Sequence, residues 1–128
     1  MDVPRKQREA WRKVKYSQKF SHAFRGLKVF WATTTTNLTI NIFTSIAVVI
    51  LGFYFHISDS EWVALVLSMG FVFVSEAFNT ALEIDIDLTS PDYHPYARDT
   101  KDVAAAAVLL SVFAAVIVGL IVFLPKMW

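Results

Sequence analysis

Residues 76–102 read EAFNTALEIDIDLTSPDYHPYARDTKD, and this stretch decides the fold. It stands between two apolar runs without charge, residues 62–75 and 103–124. Glu76, Asn79 and Glu83 are spaced by three and four residues. At about 100° per residue they share one helix face, and Asp87 continues it one turn later. Lys101 and Asp102 open the second apolar run. Carboxylates and an amide aligned on helices this apolar are costly in a bilayer, and that cost calls for a functional reason.

Composition points the same way. The chain has 128 residues, enough for one domain spanning 1–128. Its hydrophobic fraction is 55%, above the roughly 45–50% of soluble domains. Mean hydropathy is +0.48. The net charge of +1 hides an asymmetry: nine of the twelve Lys and Arg residues lie within the first 28 positions. Cysteine is absent, which excludes a disulfide frame, a thiolate metal site and a thiol nucleophile. The chain holds only four glycines, none closely spaced, so a glycine-rich phosphate loop is excluded too.

Outward from the central stretch, the sequence predicts an all-α integral membrane protein. Residues 5–32 mix cations with Trp11, Phe20, Phe24, Leu27 and Trp31, as an amphipathic helix on a membrane surface does. Nothing there suggests base readout, so nucleic acid is not an expected partner. The threonine run 33–36 predicts a bend. Three spans follow, at 38–55, 60–87 and 101–124, with a short connection at 56–61 and a loop at 88–100. Eighteen residues is near the lower limit for a hydrocarbon core of about 30 Å. His56 reads as an interfacial residue rather than a metal ligand. The alanine run 104–107 offers a small-residue face for helix packing. The 56–61 connection lacks Lys and Arg, whereas Arg98 and Lys101 flank the later loop. The positive-inside rule then places the N-terminus and the 88–101 loop in the cytoplasm.

On the polar face, Glu76 and Glu83 are about 10–11 Å apart along one helix. That is too far to share one small ion, but it allows one to serve as a base and the other to hold a metal. A carboxylate in apolar surroundings suits a general base. A carboxylate beside phosphates suits Mg²⁺. Asn79 can orient either group, and Lys101 can neutralise phosphate charge. Asp87 and Asp102 can hold metal, ribose or the amine of a base. The competing structural reading is that these residues pair with one another or mark the membrane boundary.

The motif Glu76-x-x-Asn79-Thr80-Ala81-Leu82-Glu83-x-x-x-Asp87, followed by Lys101-Asp102-x-Ala104-Ala105-x-Ala107-Val108-Leu109, resembles the small prokaryotic membrane lipid kinases, the diacylglycerol kinase and undecaprenol kinase family. Tyr93-His94-Pro95 is similar to the undecaprenol branch, and Phe24-Arg25-Gly26-Leu27-Lys28 to the end of the family's surface helix. The likeness spans roughly residues 18–125. It implies a homotrimer in the prokaryotic inner membrane, taking ATP and Mg²⁺ at the cytoplasmic face and phosphorylating a lipid alcohol. It implies Glu76 as general base in contact with the substrate, beside Asn79. Glu83 is then the metal ligand, and Asn79, Glu83, Asp87, Lys101 and Asp102 build the ATP site. Two departures stand out. The family's further glutamate near the start of the first span is replaced by threonine, at Thr34 or Thr35 depending on alignment. Asp99-Thr100 stands where an arginine usually precedes the lysine-aspartate pair. A non-catalytic lipid- or nucleotide-binding protein of the same fold is therefore the alternative expectation.

Overall fold

A computed structural model describes residues 3–17 and 19–128, the side chains of residues 14–17 excepted. Five α-helices follow in order: α1 (Arg5–Ser17), α2 (Lys19–Thr33), α3 (Thr35–Tyr54), α4 (Asp59–Thr89) and α5 (Pro95–Phe123). A 3-10 turn, Leu124–Lys126, ends the last helix. The helices fall into two compact units, Met1–Thr35 and Thr36–Trp128. No strand occurs among the described residues.

The first unit holds α1 and α2. The single surface helix expected over 5–32 is two helices, and residue 18 lies outside the described residues. Arg5 donates from Nε to Glu9 Oε1 at 3.0 Å, an exposed pair one turn apart. On α2, Phe20, Phe24, Leu27 and Trp31 recur at four, three and four residues, and all are exposed. Such a stripe is what a helix keeps when its apolar face is meant for lipid. The threonine run breaks the helical assignment at Thr34 alone. Thr33 Oγ1 donates to the Val29 carbonyl and Thr35 Oγ1 to the Trp31 carbonyl, each at 2.7 Å. Back-bonding of this kind tends to bend a helix, and the bend expected over the threonine run is confined to Thr34.

The second unit holds the three helices long and apolar enough to cross a membrane. They start earlier than the sequence predicts. α3 begins at Thr35 rather than 38. α4 begins at Asp59, where Ser58 and Glu61 form a reciprocal cap: Ser58 Oγ accepts from the Glu61 amide, and Glu61 Oε2 accepts from the Ser58 amide at 2.8 Å. α5 begins at Pro95, so half of the loop expected over 88–100 is helix. Proline is tolerated at the first helical position, where its missing N–H has no partner to lose. His94 Nδ1 caps the end by accepting from the Tyr96 amide at 3.2 Å.

His56 closes α3. Its φ of 50° is left-handed. The His56 amide donates to the Phe53 carbonyl, and the Ile57 amide to the Gly52 carbonyl at 3.2 Å. This is a Schellman ending with histidine in the place glycine usually takes, and Ile57 buried behind it. At this end of the bundle Ile57, Leu65 and Val122 form a core, with Trp62, Met69 and Phe123 packed around it. Lys126 Nζ donates to Glu61 Oε1 at 3.0 Å across the same end. Gly52 lies flat under Trp62: a Cβ there would stand 2.5 Å from the indole.

Along the bundle, α4 buries Leu65, Val72, Glu76 and Thr80, spaced by seven, four and four residues. α5 answers with Ala104, Ser111 and Val122. Small residues let α4 and α5 approach closely. Of the alanine run 104–107, only Ala104 faces inward; the other three are exposed.

Candidate functional site

The polar residues singled out in the sequence lie along α4 and the start of α5, graded by exposure. Glu76 is 6% exposed and Thr80 3%. Asn79 is half-buried, and Glu83 and Asp87 are exposed. The gradient follows from helix geometry. Glu76 and Thr80 continue the buried stripe begun by Leu65 and Val72. Asn79 and Glu83 stand beside that stripe, nearer the free surface.

Two predicted residues meet within α4: Asn79 Nδ2 donates to Glu83 Oε1 at 3.3 Å. Asn79 Oδ1 is buried without a hydrogen-bond partner. A second pair forms across the loop, where Lys101 Nζ donates to Asp87 Oδ1 at 2.6 Å. Lys101 holds this place because Ala104, three residues on, faces α4. Asp102 pairs with Arg98 at 3.6 Å and lines the same cleft as Asp87 and Lys101. No ion pair reaches Glu76 among the described residues. A carboxylate buried without an ion-pair partner costs stability.

The 90–94 loop adds a polar cleft of about 250 Å³ bounded by Asp87, Ser90, Asp92, His94, Arg98 and Lys101. It brings Arg98 and Lys101, cations of the kind that bind phosphate, beside the carboxylates of Asp87, Asp92 and Asp102. The sequence reading passed over Arg98 as a site residue. Its spacing to Asp102 was visible, but only a helix beginning at Pro95 turns that spacing into a contact. Thr80 was passed over as well, although it follows Glu76 by one turn.

A resident metal cage is not formed. Among the described residues, no three acidic or histidine side chains converge on one point. Thr34 and Thr35 belong to the N-terminal unit, and the Thr35 hydroxyl proton is engaged by Trp31. The donors at hand fit magnesium arriving on nucleotide phosphates, where one protein carboxylate is enough to anchor it.

Comparison with known proteins adds the family. The family model described as prokaryotic diacylglycerol kinase matches residues 21–123. The chain is 37% identical over 115 residues to an undecaprenol kinase of Bacillus subtilis, covering 88% of this chain and 91% of that protein. It is 39% identical over 109 residues to a diacylglycerol kinase of Synechocystis, covering 84% and 62%. A diacylglycerol kinase of Escherichia coli K12 is 28% identical over 96 residues, covering 75% and 78%. No solved structure matches significantly. With three apolar helices, a polar stripe along α4 and a family match over most of its length, this chain is a membrane lipid kinase and belongs to the prokaryotic diacylglycerol kinase family.

Proposed function

We propose that the protein transfers the γ-phosphoryl group of ATP to the hydroxyl of a membrane lipid, at the cytoplasmic face of the inner membrane. The observation that carries this reading is the buried carboxylate of Glu76, with no ion pair, on a helix whose far end is met at Asp87 by Lys101 of α5. Glu76 takes the hydroxyl proton as the lipid oxygen forms its bond to the γ-phosphorus. The bond from that phosphorus to the bridging oxygen breaks, and ADP leaves. Phosphoryl transfer depends mainly on positioning and charge neutralisation, so few groups are needed. Lys101 supplies the cation, held by Asp87 until a phosphate replaces it. Glu83 anchors the magnesium of the Mg–ATP complex, and Asn79 orients that carboxylate. Asp102, with Arg98, borders the nucleotide.

Undecaprenol is favoured over diacylglycerol as the acceptor. The B. subtilis undecaprenol kinase aligns with 88% of this chain and is itself 91% covered. The cation-rich segment up to Lys28 supports a cytoplasmic N-terminus. Assembly as a homotrimer accords with the many large apolar side chains exposed on α3, α4 and α5, although lipid alone also covers such surfaces.

One observation favours a second reading. Threonine at 34 and 35 leaves Glu83 without the second carboxylate that the family resemblance implies, as a chain that binds lipid and nucleotide without turnover would have. An assay with radiolabelled ATP, in detergent micelles containing undecaprenol or diacylglycerol, separates the two. Labelled lipid supports the kinase. No labelled lipid at high Mg²⁺, with nucleotide still bound, supports the second reading.

A further inference from the structure

α1 and α2 share one unit but differ in chemistry. α2 carries the apolar stripe, and the family match begins inside it, at residue 21. α1 lies wholly before that match. Its sequence, RKQREAWRKVKYS, holds six cations and one acid. Trp11 is 72% exposed, and no described side chain of α1 is buried.

This helix is not arranged for its own stability. The positive end of a helix dipole favours acids and disfavours cations. α1 has no acid in its first turn, where Arg5, Lys6 and Arg8 stand instead. Its one acid, Glu9, accepts from Arg5 at 3.0 Å. The cations are also ordered around the axis. At about 100° per residue, Gln7, Ala10 and Trp11 share one face. Lys6 and Lys13, seven residues apart, border that face on the Ala10 side, and Arg8 borders it on the Trp11 side. Arg5, Glu9 and Arg12 fall opposite. An aromatic flanked by long cations suits a helix lying among lipid headgroups. The ring enters the interface, and the aliphatic stems let the charges reach phosphate.

We propose that α1 docks on a bilayer leaflet carrying anionic headgroups, with Trp11 at the acyl boundary and Lys6, Arg8 and Lys13 on lipid phosphates. The Arg5–Glu9 pair then faces water. A lipid surface fits better than another polyanion, because only residue 18, α2 and Thr34 separate α1 in sequence from the membrane span α3. A helix leashed to a bilayer meets its surface at high effective concentration. The two helices answer to different properties of that surface. α2 binds through hydrocarbon and needs no particular headgroup. α1 depends on charge, so it reads the anionic content of the leaflet, which α2 does not.

The chain has no cysteine, so Ala10→Cys in α1 and Ala23→Cys in α2 each place a single polarity-sensitive fluorophore. The full chain is reconstituted in nanodiscs of phosphatidylcholine, alone or mixed with phosphatidylglycerol. The probe at position 10 should shift to the blue only in the anionic discs, and high salt should reverse the shift. The probe at position 23 should read the same in both. Lys6→Gln combined with Arg8→Gln should cut the ratio of docked to free α1 about fivefold or more. Arg5→Gln combined with Arg12→Gln removes the same charge from the opposite face and should cut it far less. Equal losses from the two pairs overturn the assigned face. A shift as large in phosphatidylcholine alone, or none in anionic discs, overturns the proposal. So does a shift produced by an added oligonucleotide and not by anionic lipid, which would assign α1 to nucleic acid. The readout needs no turnover, so it stands or falls apart from the kinase reading.

Discussion

Gly52→Ala is the sharpest test of how α3 and α4 are fitted together. A Cβ at this position would lie 2.5 Å from Trp62 Cη2 and 2.8 Å from Cζ2. Carbon atoms in contact prefer about 3.5 Å or more, so the indole must retreat by roughly 1 Å. It has little freedom to do so. Phe53 packs on it with ring centroids 4.9 Å apart, and the ring belongs to the core at this end of the bundle. Overpacking of this kind costs about 1–3 kcal/mol. Alanine regains about 0.5–1 kcal/mol by its better helix propensity. The net expectation is a destabilisation of about 1–2 kcal/mol, seen as a melting temperature several degrees lower in detergent micelles. Gly70→Ala is the matched control, because a Cβ there meets nothing within 4 Å. It should be neutral or stabilising. Trp62→Leu removes the obstruction, so the double variant should lose less than the sum of the single ones. If Gly52→Ala melts with Gly70→Ala, the seating of the Trp62 indole on Gly52 is wrong.

Other outcomes follow from the same geometry. Glu76→Gln keeps the volume and removes the base, so kcat for lipid phosphorylation should fall by about 10²–10⁴ with nucleotide binding retained; retained turnover removes Glu76 from the base role. Lys101→Met should raise the KM for ATP far more than that for lipid, and equal effects on both would contradict its placement beside phosphate. Thr35→Glu, or Thr34→Glu, should lower the magnesium concentration needed for half-maximal rate, and an unchanged magnesium profile in both would show that neither position faces the metal. His56→Gly relieves a left-handed residue and should stabilise the fold by about 1 kcal/mol, read from thermal melting in micelles.

The spans were legible because uncharged apolar runs of this length have few other uses. The polar face of α4 was legible for a related reason: three- and four-residue spacing survives any detail of packing. What the sequence concealed was where helices begin. Pro95 and the charges around it read as loop, yet proline at the first helical position with a histidine cap begins α5 there. The early start has chemical consequences. It brings Lys101 within reach of Asp87 across the loop, and it places Arg98 one turn from Asp102. Asp102 lines the same cleft as Lys101, paired there with Arg98. Asn41 shares the first span with Thr39, Thr44 and Ser45, so nothing in the sequence singles out its amide, whose Nδ2 is buried without a partner.

The gradient along α4 gives the strongest argument for two ligands meeting on one helix. Leu65 and Val72 are buried and apolar, Glu76 is buried and ionisable, and Asp87 is largely exposed with a cation in contact. A uniformly structural helix has no use for this order, since a buried carboxylate without a partner only costs stability. An enzyme joining a hydrocarbon substrate to a multiply charged one needs it. The base must sit where the lipid hydroxyl can reach it, and the phosphate ligands where water can. About two turns, roughly 10–11 Å, separate Glu76 from Glu83 along the helix. On the proposed mechanism, the threonines at 34 and 35 weaken only the metal end of this arrangement. Their effect should therefore appear in the magnesium requirement, and the order of groups along α4 should keep the choice of lipid unchanged.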